Sequence, residues 1–303
     1  RLFQDKLSKS NPKIRPVWNQ SRAVNISFEI YIVAMTDLNE IQQKVEATVW
    51  LSVQWQNELI MWNKTDYGDL EVVYPNPDTM WRPDLAISNG YDELNPIGID
   101  FVIMKVFHDG STIWMPGQKI EFLCSIDVSK FPFDTQHCFI EFFNWGGTLE
   151  ESTLYHSSVP QMTSVKALHP NSEWEIIGEW YENKDDKTNH DKVRVHLTMK
   201  RKSTSLVLSI LLPVILLAFL NVFVFLLPTE SGEKLSFAVT VLLSQAVFLS
   251  FISSMMPQTS DSISGLSIYI ATQLVLSTLY VLLTCWILRL YHRDTKRRPL
   301  PSW

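Results

Sequence analysis

Seven side chains between positions 233 and 254 have the types and the spacing to handle ions. They are Glu233, Ser236, Thr240, Leu243, Val247, Ser250 and Ser254. Steps of three or four residues place them on one face of a helix. Repeated around an axis, this face would form acidic and hydroxyl rings that favour cations, and aliphatic rings that can block ions by dewetting. The alternative is a seam between helices, with hydroxyls bonding across the bundle and Glu233 favouring the helix N-terminus.

A face of this kind needs a membrane around it, and the sequence contains three long runs without a charged residue. These runs are Ser203–Thr229, Leu235–Ser260 and Ser262–Leu288. A helix needs about 20 apolar residues to cross a bilayer, so each run is long enough. Three runs in succession favour a membrane bundle over buried helices of a soluble protein. We predict spans at about 204–227, 234–256 and 263–288.

The change in character after residue 202 predicts a division of the chain. We expect a polar, aromatic-rich domain over 1–202, a transmembrane channel domain over 203–290, and the start of a cytoplasmic loop over 291–303. Basic residues that begin at Arg289 follow the third span and predict that this end is cytoplasmic. Three crossings then place the N-terminal domain outside the cell.

Short segments of the N-terminal domain alternate apolar and polar residues or are rich in β-formers. Examples are Asn25–Ala34, Val45–Gln54, Phe101–Phe107, Lys119–Asp127, Cys138–Phe143, Glu173–Tyr181 and Val193–Lys200. Turn residues such as Asp109-Gly110 and Gly146-Gly147 separate them. Many short strands with regular turns predict an all-β, immunoglobulin-like sandwich, followed here by an α-helical transmembrane bundle.

Cysteines and glycosylation sequons agree with an exported domain. Cys124 and Cys138 bracket thirteen residues, and a disulfide between them is expected outside the cell. Sequons at Asn19, Asn25 and Asn63 predict glycosylation, although each alone is a weak signal. The chain shows no Ser/His/Asp arrangement, zinc pattern or glycine-rich nucleotide loop, so we expect neither an enzyme, nor a cofactor, nor a metal site.

The loop Cys124–Cys138, with Phe131-Pro132-Phe133-Asp134 at its centre, resembles the signature of the Cys-loop receptor family. Other motifs agree in order along nearly the whole chain and resemble the nicotinic acetylcholine receptor-like branch. They are the Trp50, Trp55, Trp62 spacing, the run Trp81-Arg-Pro-Asp-Leu, and Trp145 seven residues after Cys138. The resemblance implies one subunit of a pentameric ligand-gated channel with four spans. We expect the fourth span in the full-length gene product.

The resemblance implies a ligand site between neighbouring subunits. It places Trp145 on the principal face, Trp50 on the complementary face of the next subunit, and Tyr181 on the hairpin that closes over the ligand. Ile113 and Met115 would border the ligand from the complementary strands. An aromatic box binds a cationic amine through the electron-rich faces of its rings. Aromatic residues in a β-sandwich more often pack in the core than bind a ligand, and we predict core packing for Trp55, Trp62 and Trp81.

The predicted box departs from the family pattern in three places. The adjacent cysteine pair of acetylcholine-binding α subunits is missing, Ser88 stands where a tyrosine is expected, and His190 stands where the second closing-loop tyrosine would be. Tyr91 could partly replace the ring lost at Ser88. Acetylcholine is therefore in doubt, and another amine, a non-amine ligand or a purely complementary role in a heteromer stays open. His190 could also make the site pH-sensitive.

The resemblance also assigns roles around the membrane domain. Anion-selective relatives lack the intact glutamate at the position of Glu233, so cation selectivity is implied. Contacts that couple ligand binding to the pore would come from Glu40, from Phe131–Asp134, from Arg201 and from Pro257, with a charge pair between Arg201 and Glu40. Pro213 lacks a backbone donor and should kink the first span.

Together these patterns predict a multi-pass cell-membrane protein with an extracellular N-terminal domain, and the family adds a postsynaptic location as one possibility. The expected partners are four further subunits in a homo- or heteropentamer, a small-molecule agonist, membrane lipid and permeant monovalent cations, with no nucleic acid. A non-conducting, membrane-tethered ligand-binding protein and an obligate heteromer partner are the alternatives.

Overall fold

The computed structural model describes residues 1–91, 96–98, 102, 104–148, 150–156, 169–185, 191–229, 232–257 and 262–293. The chain forms two compact units. The first, which we call the strand unit, comprises 1–126 and 135–200, and the second, the helix unit, comprises 127–134 and 201–303. Each unit is described by itself.

A short helix α1 (Leu2–Asp5) opens the strand unit. The strands that follow are β1 (Val24–Asn39), β2 (Lys44–Gln56), β3 (Val72–Val73), β4 (Leu85–Ile87), β5 (Met104–Phe107), β6 (Ser111–Trp114), β7 (Gly117–Leu123), β8 (Thr135–Asn144), β9 (Ser152–His156), β10 (Trp174–Asp185) and β11 (Asp191–Arg201). Single 3₁₀ turns lie at Leu7–Lys9, Lys64–Tyr67 and Pro77–Thr79.

These strands form two sheets, which confirms the predicted sandwich class. The seven-stranded sheet has the order β3-β5-β6-β2-β1-β9, with β7 also paired to β2, and the four-stranded sheet has the order β10-β11-β8-β4. β1 and β2 pair antiparallel over most of their length, whereas β9 runs parallel to β1.

Alternation along the long strands supplies the core of the strand unit. Every second side chain of β2 from Val45 to Leu51 is buried, as period-two patterning requires. The rings of Phe28 on β1 and Phe142 on β8 meet with centroids 4.7 Å apart. Burying an aromatic side chain of this size contributes about 1.5–3 kcal/mol. Trp55 and Trp62 are buried as core residues, as predicted.

The disulfide between Cys124 and Cys138 is formed, as predicted, with their Cα atoms 5.2 Å apart. One strand prediction was too long: Lys119–Asp127 was expected to be extended, but β7 ends at Leu123. The N–H of Cys124 donates instead to the carbonyl of Gln43, 2.8 Å away, in the turn between β1 and β2.

The helix unit contains three helices that are long and apolar enough to cross a membrane, at Thr204–Leu226, Lys234–Met255 and Gly265–Tyr291. The first span consists of α2 (Thr204–Leu206), a π-helical turn (Val207–Leu211), α3 (Leu212–Phe223) and a 3₁₀ turn (Val224–Leu226). The second span is α4 (Lys234–Met255) and the third is α5 (Gly265–Tyr291).

The π-helical turn of the first span ends at Leu211, two residues before Pro213. Proline has no N–H to donate to the preceding turn, and π-helical turns accommodate such local breaks in the hydrogen-bond ladder. The π-helical turn thus lies in the turn that precedes Pro213, and the predicted kink itself stays a prediction. The third helix continues past the predicted end at 288 and includes Arg289.

A buried polar network joins all three spans. The Asn221 side-chain amide donates to Ser277 Oγ at 2.5 Å, and the Ser277 hydroxyl donates to the side-chain carbonyl of Gln245. All three side chains are buried. Hydrogen bonds between polar side chains hold membrane helices together because hydrocarbon offers no other partner.

Candidate functional site

The predicted complementary face lies on the outward side of the seven-stranded sheet. Trp50 on β2 is 50% exposed and pairs across the strands with Gly117 of β7. Ile113 on β6 is partly exposed and Met115, just after β6, is exposed. All three side chains occupy outward positions of neighbouring strands, so they can border one ligand.

Gly117 sets the position of the Trp50 ring. A Cβ atom at residue 117 would lie 2.5 Å from Cδ1 and 2.9 Å from Nε1 of Trp50. The indole therefore rests on the bare backbone of β7. Nothing in the sequence pattern indicates this role for the glycine, because the role depends on the strand register.

Gly117→Ala is expected to displace the Trp50 indole and to weaken agonist potency by roughly tenfold, about 1.4 kcal/mol, with little change in melting temperature because the ring is half exposed. Gly178→Ala is the matched control, since its Cβ would meet Thr198 at an ordinary 3.5 Å. The readout is the half-maximal agonist concentration together with thermal unfolding. Equal effects of the two variants would contradict the role of Gly117.

Trp145, the predicted principal-face residue, follows β8 of the four-stranded sheet and is 49% exposed. Its N–H donates to the carbonyl of Asp84 at 2.8 Å, and its ring packs against Phe143 with centroids 6.0 Å apart. Trp145 and Trp50 thus lie on different sheets of one chain. That the two rings meet across a subunit interface stays a prediction.

Ser88, at the place of an expected tyrosine, belongs to a charged network on the same sheet. Its hydroxyl donates to Glu141 Oε1 at 2.5 Å. Arg194 Nε donates to the other oxygen of Glu141 at 2.5 Å, and Lys192 Nζ lies 3.2 Å from Oε1. Burial raises the pKa of Glu141, but the hydrogen bonds from Ser88, Arg194 and Lys192 together outweigh it, so the pKa lies below its usual 4.5.

Glu141→Gln is expected to destabilise the protein by about 1.5–3 kcal/mol at neutral pH, the range for hydrogen bonds to charged groups. Because the pKa of Glu141 is lowered in the folded state, its contribution is present above pH 4.5 and is lost as pH falls through the lowered pKa. The gap in melting temperature between wild type and variant should therefore close on acidification. Glu175→Gln, an exposed site on β10, is the control. A gap that persists at acidic pH would contradict the charged network.

Tyr181 lies on β10, in the hairpin predicted to close over the ligand, but its side chain joins a cluster with β1 and β9. Its hydroxyl lies 3.3 Å from the carbonyl of Ile30 and donates to Glu179. His156 stacks on the ring at 3.7 Å between centroids. Burial, reinforced by Glu179, raises the pKa of Tyr181, and burial also raises the pKa of Glu179.

Tyr31 extends this cluster on β1. Its hydroxyl donates to Glu29 Oε2 at 2.6 Å; burial and this carboxylate raise its pKa to about 12. Tyr31 is also the cross-strand partner of Trp50. The cluster therefore connects the closing hairpin with the strand that carries the complementary tryptophan.

Tyr91 is a candidate substitute for the ring lost at Ser88, and this role stays a prediction. Its N–H donates to the carbonyl of Glu121, and the Lys44 ammonium sits 4.9 Å from its ring centroid. His190 lies outside the described residues. Trp180, which the sequence did not single out, is exposed and stacks on His196 at 3.6 Å.

The predicted pore residues are all exposed on the single subunit. They are Glu233, Ser236, Thr240, Leu243, Val247, Ser250 and Ser254. Leu243 is 61% and Val247 67% exposed, which is unusual for large aliphatic side chains of a packed soluble protein. The opposite face of α4, with Ala238, Val241 and Ile252, is buried. Within the single subunit this face is not covered by α5 or the first span, and its role as a pore lining, rather than as a seam with another helix of the bundle, stays a prediction.

Glu233 and Lys234, adjacent at the start of α4, have opposite charges and different environments. Glu233 is exposed, whereas Lys234 is buried and its ammonium donates to the carbonyl of Leu227 at 3.1 Å. Further along, the Thr240 hydroxyl donates to the carbonyl of Ser236 at 2.9 Å. Its hydrogen is therefore used within the helix, and the oxygen lone pairs are left for a cation.

Within the helix unit, the tip of the disulfide loop forms a buried ion pair at the start of the first span. Arg201 Nε donates to Asp134 Oδ1 at 2.7 Å and Nη2 to Oδ2 at 3.1 Å. The guanidinium also lies 5.1 Å from the ring centroid of Phe131. All three residues are buried.

The same tip bonds to the segment around the start of α5. The N–H of Val128 donates to Ser262 Oγ at 3.3 Å, and the N–H of Gly265 donates to the carbonyl of Ser129 at 3.2 Å. Pro132 and Pro257 are buried, and Phe133 is exposed. The pair between Arg201 and Glu40 stays a prediction.

The three sequon asparagines Asn19, Asn25 and Asn63 are all exposed, so a glycan could be attached at each without unfolding. Within the described ranges no group of three or more His, Cys, Asp or Glu residues could hold a metal ion.

Two family models together match most of the chain. One, described as the neurotransmitter-gated ion-channel ligand binding domain, matches residues 1–203. The other, described as the neurotransmitter-gated ion-channel transmembrane region, matches residues 210–303. Proteins of this kind are ligand-gated channels and not enzymes.

Among curated proteins, similar ones include acetylcholine receptor subunit beta-like 1 of Drosophila melanogaster, 28% identical over the whole chain and 59% of the relative. Acetylcholine receptor subunit beta-type unc-29 of Caenorhabditis elegans is 30% identical, again over the whole chain and 61% of the relative. Neuronal acetylcholine receptor subunit alpha-6 of Rattus norvegicus is 28% identical, over the whole chain and 62% of the relative. The chain therefore spans about 60% of the length of these relatives.

Proposed function

This chain belongs to the neurotransmitter-gated ion-channel family, and from that premise we propose that it is one subunit of a pentameric cation channel opened by a small-molecule agonist. The observation that carries the proposal is the exposed face of α4, with Glu233 at one end and Leu243 and Val247 in its middle. Five such faces around an axis form a selective acidic ring below an aliphatic gate.

The agonist of this proposal is an organic amine bound between subunits. The half-exposed rings of Trp145 and Trp50 supply electron-rich faces for an ammonium ion. The relatives are named acetylcholine receptor subunits, but Ser88 is hydrogen-bonded into the Glu141 network and provides no ring. We therefore propose an amine other than acetylcholine for a homomer of this chain.

Agonist binding is transmitted, in this proposal, through the loop tip that carries Phe131–Asp134 and through Arg201, with Glu40 and Pro257 as further contacts. The buried pair Arg201–Asp134 supports this role, because it fixes the loop tip to the start of the first span. The protein spans the membrane of the cell with its ligand-binding domain outside. Postsynaptic location and glycosylation at Asn19, Asn25 and Asn63 belong to the same proposal.

Voltage clamp of cells that express the full-length subunit alone tests the channel. We expect amine-evoked current that reverses near the cation equilibrium potential, and a loss of cation over anion selectivity in Glu233→Ala. Glu175→Ala, at an exposed position on β10, is the control and should leave selectivity unchanged. Anion current in the wild type would overturn the proposed selectivity.

Surface expression without any current would favour the second candidate, an obligate partner subunit of a heteromer. The observation behind this candidate is the absence of an aromatic ring at Ser88, which weakens the principal face, while Trp50, Ile113 and Met115 leave the complementary face intact. Co-expression with a subunit that carries the expected tyrosine should then restore current.

A further inference from the structure

Glu179 and Tyr181 on β10 form a hydrogen-bonded group where this edge strand of one sheet reaches β1 of the other. The Tyr181 hydroxyl donates to Glu179 Oε1 and also lies 3.3 Å from the carbonyl oxygen of Ile30 on β1. Both side chains are partly buried. The group therefore connects the strand of the predicted closing hairpin with the strand that carries Tyr31, the cross-strand partner of Trp50.

The strand register turns the carbonyl of Ile30 toward this group. Ile30 lies opposite Leu51 of β2, but the N–H of Leu51 donates to Pro116, on the other side of β2. The backbone polar groups of Ile30 therefore face away from β2. The neighbour on that side is β9, which pairs with β1 only as far as Phe28. Tyr181 thus offers a donor to a backbone acceptor that lies beyond the end of the β1–β9 ladder.

One hydroxyl hydrogen serves two acceptors in this group. A tyrosine hydroxyl has a single hydrogen to donate, together with lone pairs that accept. When Glu179 is ionised, the hydrogen goes to the carboxylate, because a charged acceptor forms the stronger bond, and Ile30 keeps only a weak contact. A protonated Glu179 adds a second hydrogen. It can donate to the Tyr181 oxygen and release the tyrosine hydrogen for Ile30, so both bonds are made at once.

Burial favours the proton uptake that this exchange needs. It raises the pKa of Glu179 above its usual 4.5, although the hydrogen bond from Tyr181 acts in the opposite direction. The pKa of Tyr181 is also raised, first by burial and then by Glu179, so the tyrosine stays protonated. A carboxyl group whose pKa rises on folding binds its proton more tightly in the folded state. Its contribution to stability therefore increases as pH falls through the raised pKa toward 4.5.

The neighbouring strands contribute titratable groups of their own. On β1, the Tyr31 hydroxyl donates to Glu29 Oε2 at 2.6 Å, so this pair is bonded internally. On β9, the His156 ring stacks on Tyr181 with centroids 3.7 Å apart, and burial lowers the pKa of His156. Acid therefore acts on His156 in the destabilising direction, opposite to its effect on Glu179.

We propose that Glu179 is a proton-dependent contact between β10 and β1, in which one added proton converts a shared hydrogen bond into a chain of two. Mild acid holds β10 against β1 more firmly than neutral solution does. This contact lies within the strand unit and does not depend on the proposed channel function. In the proposed channel it would make the motion of the closing hairpin sensitive to pH through a group other than His190.

Hydrogen–deuterium exchange of the purified full-length protein in detergent, at about pH 7.5 and about pH 5 with correction for intrinsic exchange rates, tests this contact. In the wild type, amide protection over Trp174–Asp185 should rise roughly fivefold on acidification, the effect of one net hydrogen bond. Glu179→Gln carries a permanent donor in nearly the same shape, so its protection should be high at both pH values. Tyr181→Phe removes the shared hydroxyl, and its protection should be low at both.

Glu175→Gln, at an exposed position of the same strand, is the matched control and should respond to pH as the wild type does. His156→Phe keeps a ring in the stack without a titratable group, and the acid response should persist there. A wild-type response in Glu179→Gln, or a gain of protection in acid by Tyr181→Phe, would overturn the proposal. So would loss of the response in His156→Phe, because the imidazole would then be its source. Should Tyr181→Phe not fold, Glu179→Gln and His156→Phe decide.

Discussion

Asp134→Ala is expected to abolish agonist-evoked current and to lower the amount of protein at the cell surface. The carboxylate holds Arg201 through two hydrogen bonds of 2.7 and 3.1 Å, and both side chains are buried. Removal of one partner leaves a buried charge without its counterion, which costs about 3–5 kcal/mol. A loss of this size is a large fraction of the roughly 5–15 kcal/mol by which a typical domain is stable.

Surface biotinylation and whole-cell current measure the two effects separately. Lys130→Ala is the matched control, because Lys130 lies in the same loop tip and is exposed. The conservative single variant Arg201→Lys should keep only part of the wild-type surface expression. A lysine cannot form the two parallel hydrogen bonds that a guanidinium makes to a carboxylate. Normal current from Asp134→Ala at normal surface levels would rule out a coupling role for the pair.

Leu243→Thr is the second substitution with a large expected effect, and it should favour the open state. In the proposed pore, five Leu243 side chains, each 61% exposed on the single subunit, bury one another when the gate is closed. The threonine side chain has two carbons fewer than leucine and carries a hydroxyl, so the substitution removes about 1–2 kcal/mol of apolar burial per subunit. The open-to-closed ratio should rise roughly tenfold for each substituted subunit.

Concentration–response curves and current without agonist provide the readout for Leu243→Thr. We expect higher agonist sensitivity and a standing current that a pore blocker removes. Val239→Thr, also on α4 but outside the predicted pore face, is the control and should shift the curve much less. An unchanged curve for Leu243→Thr would place the gate elsewhere.

Local periodicity explains which elements could be predicted from the sequence. The five longest strands, β1, β2, β8, β10 and β11, each have ten or more residues, enough for stretches of alternation to be recognised, and the membrane spans are continuous apolar runs. β3 and β4 have only two and three residues, too few for an alternation to be recognised. The exposed face of α4 could be predicted because helical spacing is itself a local property.

Contacts between distant segments explain what the sequence did not reveal. Glu141 is a single acid on a strand, and its network follows only from the register that sets it opposite Arg194. The role of Gly117 depends in the same way on its pairing with Trp50. The family resemblance located Trp50 and Trp145, but it gave no indication of the Tyr181 cluster, which requires three strands to meet.

The polar network of the three spans has a mechanical consequence. Gln245 lies at the middle of α4, between Leu243 and Val247, and is tied through Ser277 to Asn221. A slide of α4 by one helical turn, about 5.4 Å, would break the bond to Ser277. A tilt of α4 about the level of Gln245 would keep the bond to Ser277, so the network can act as a pivot for this helix. In the proposed pore, the Leu243 and Val247 side chains would then stay near the pivot while the two ends of α4 move in opposite directions.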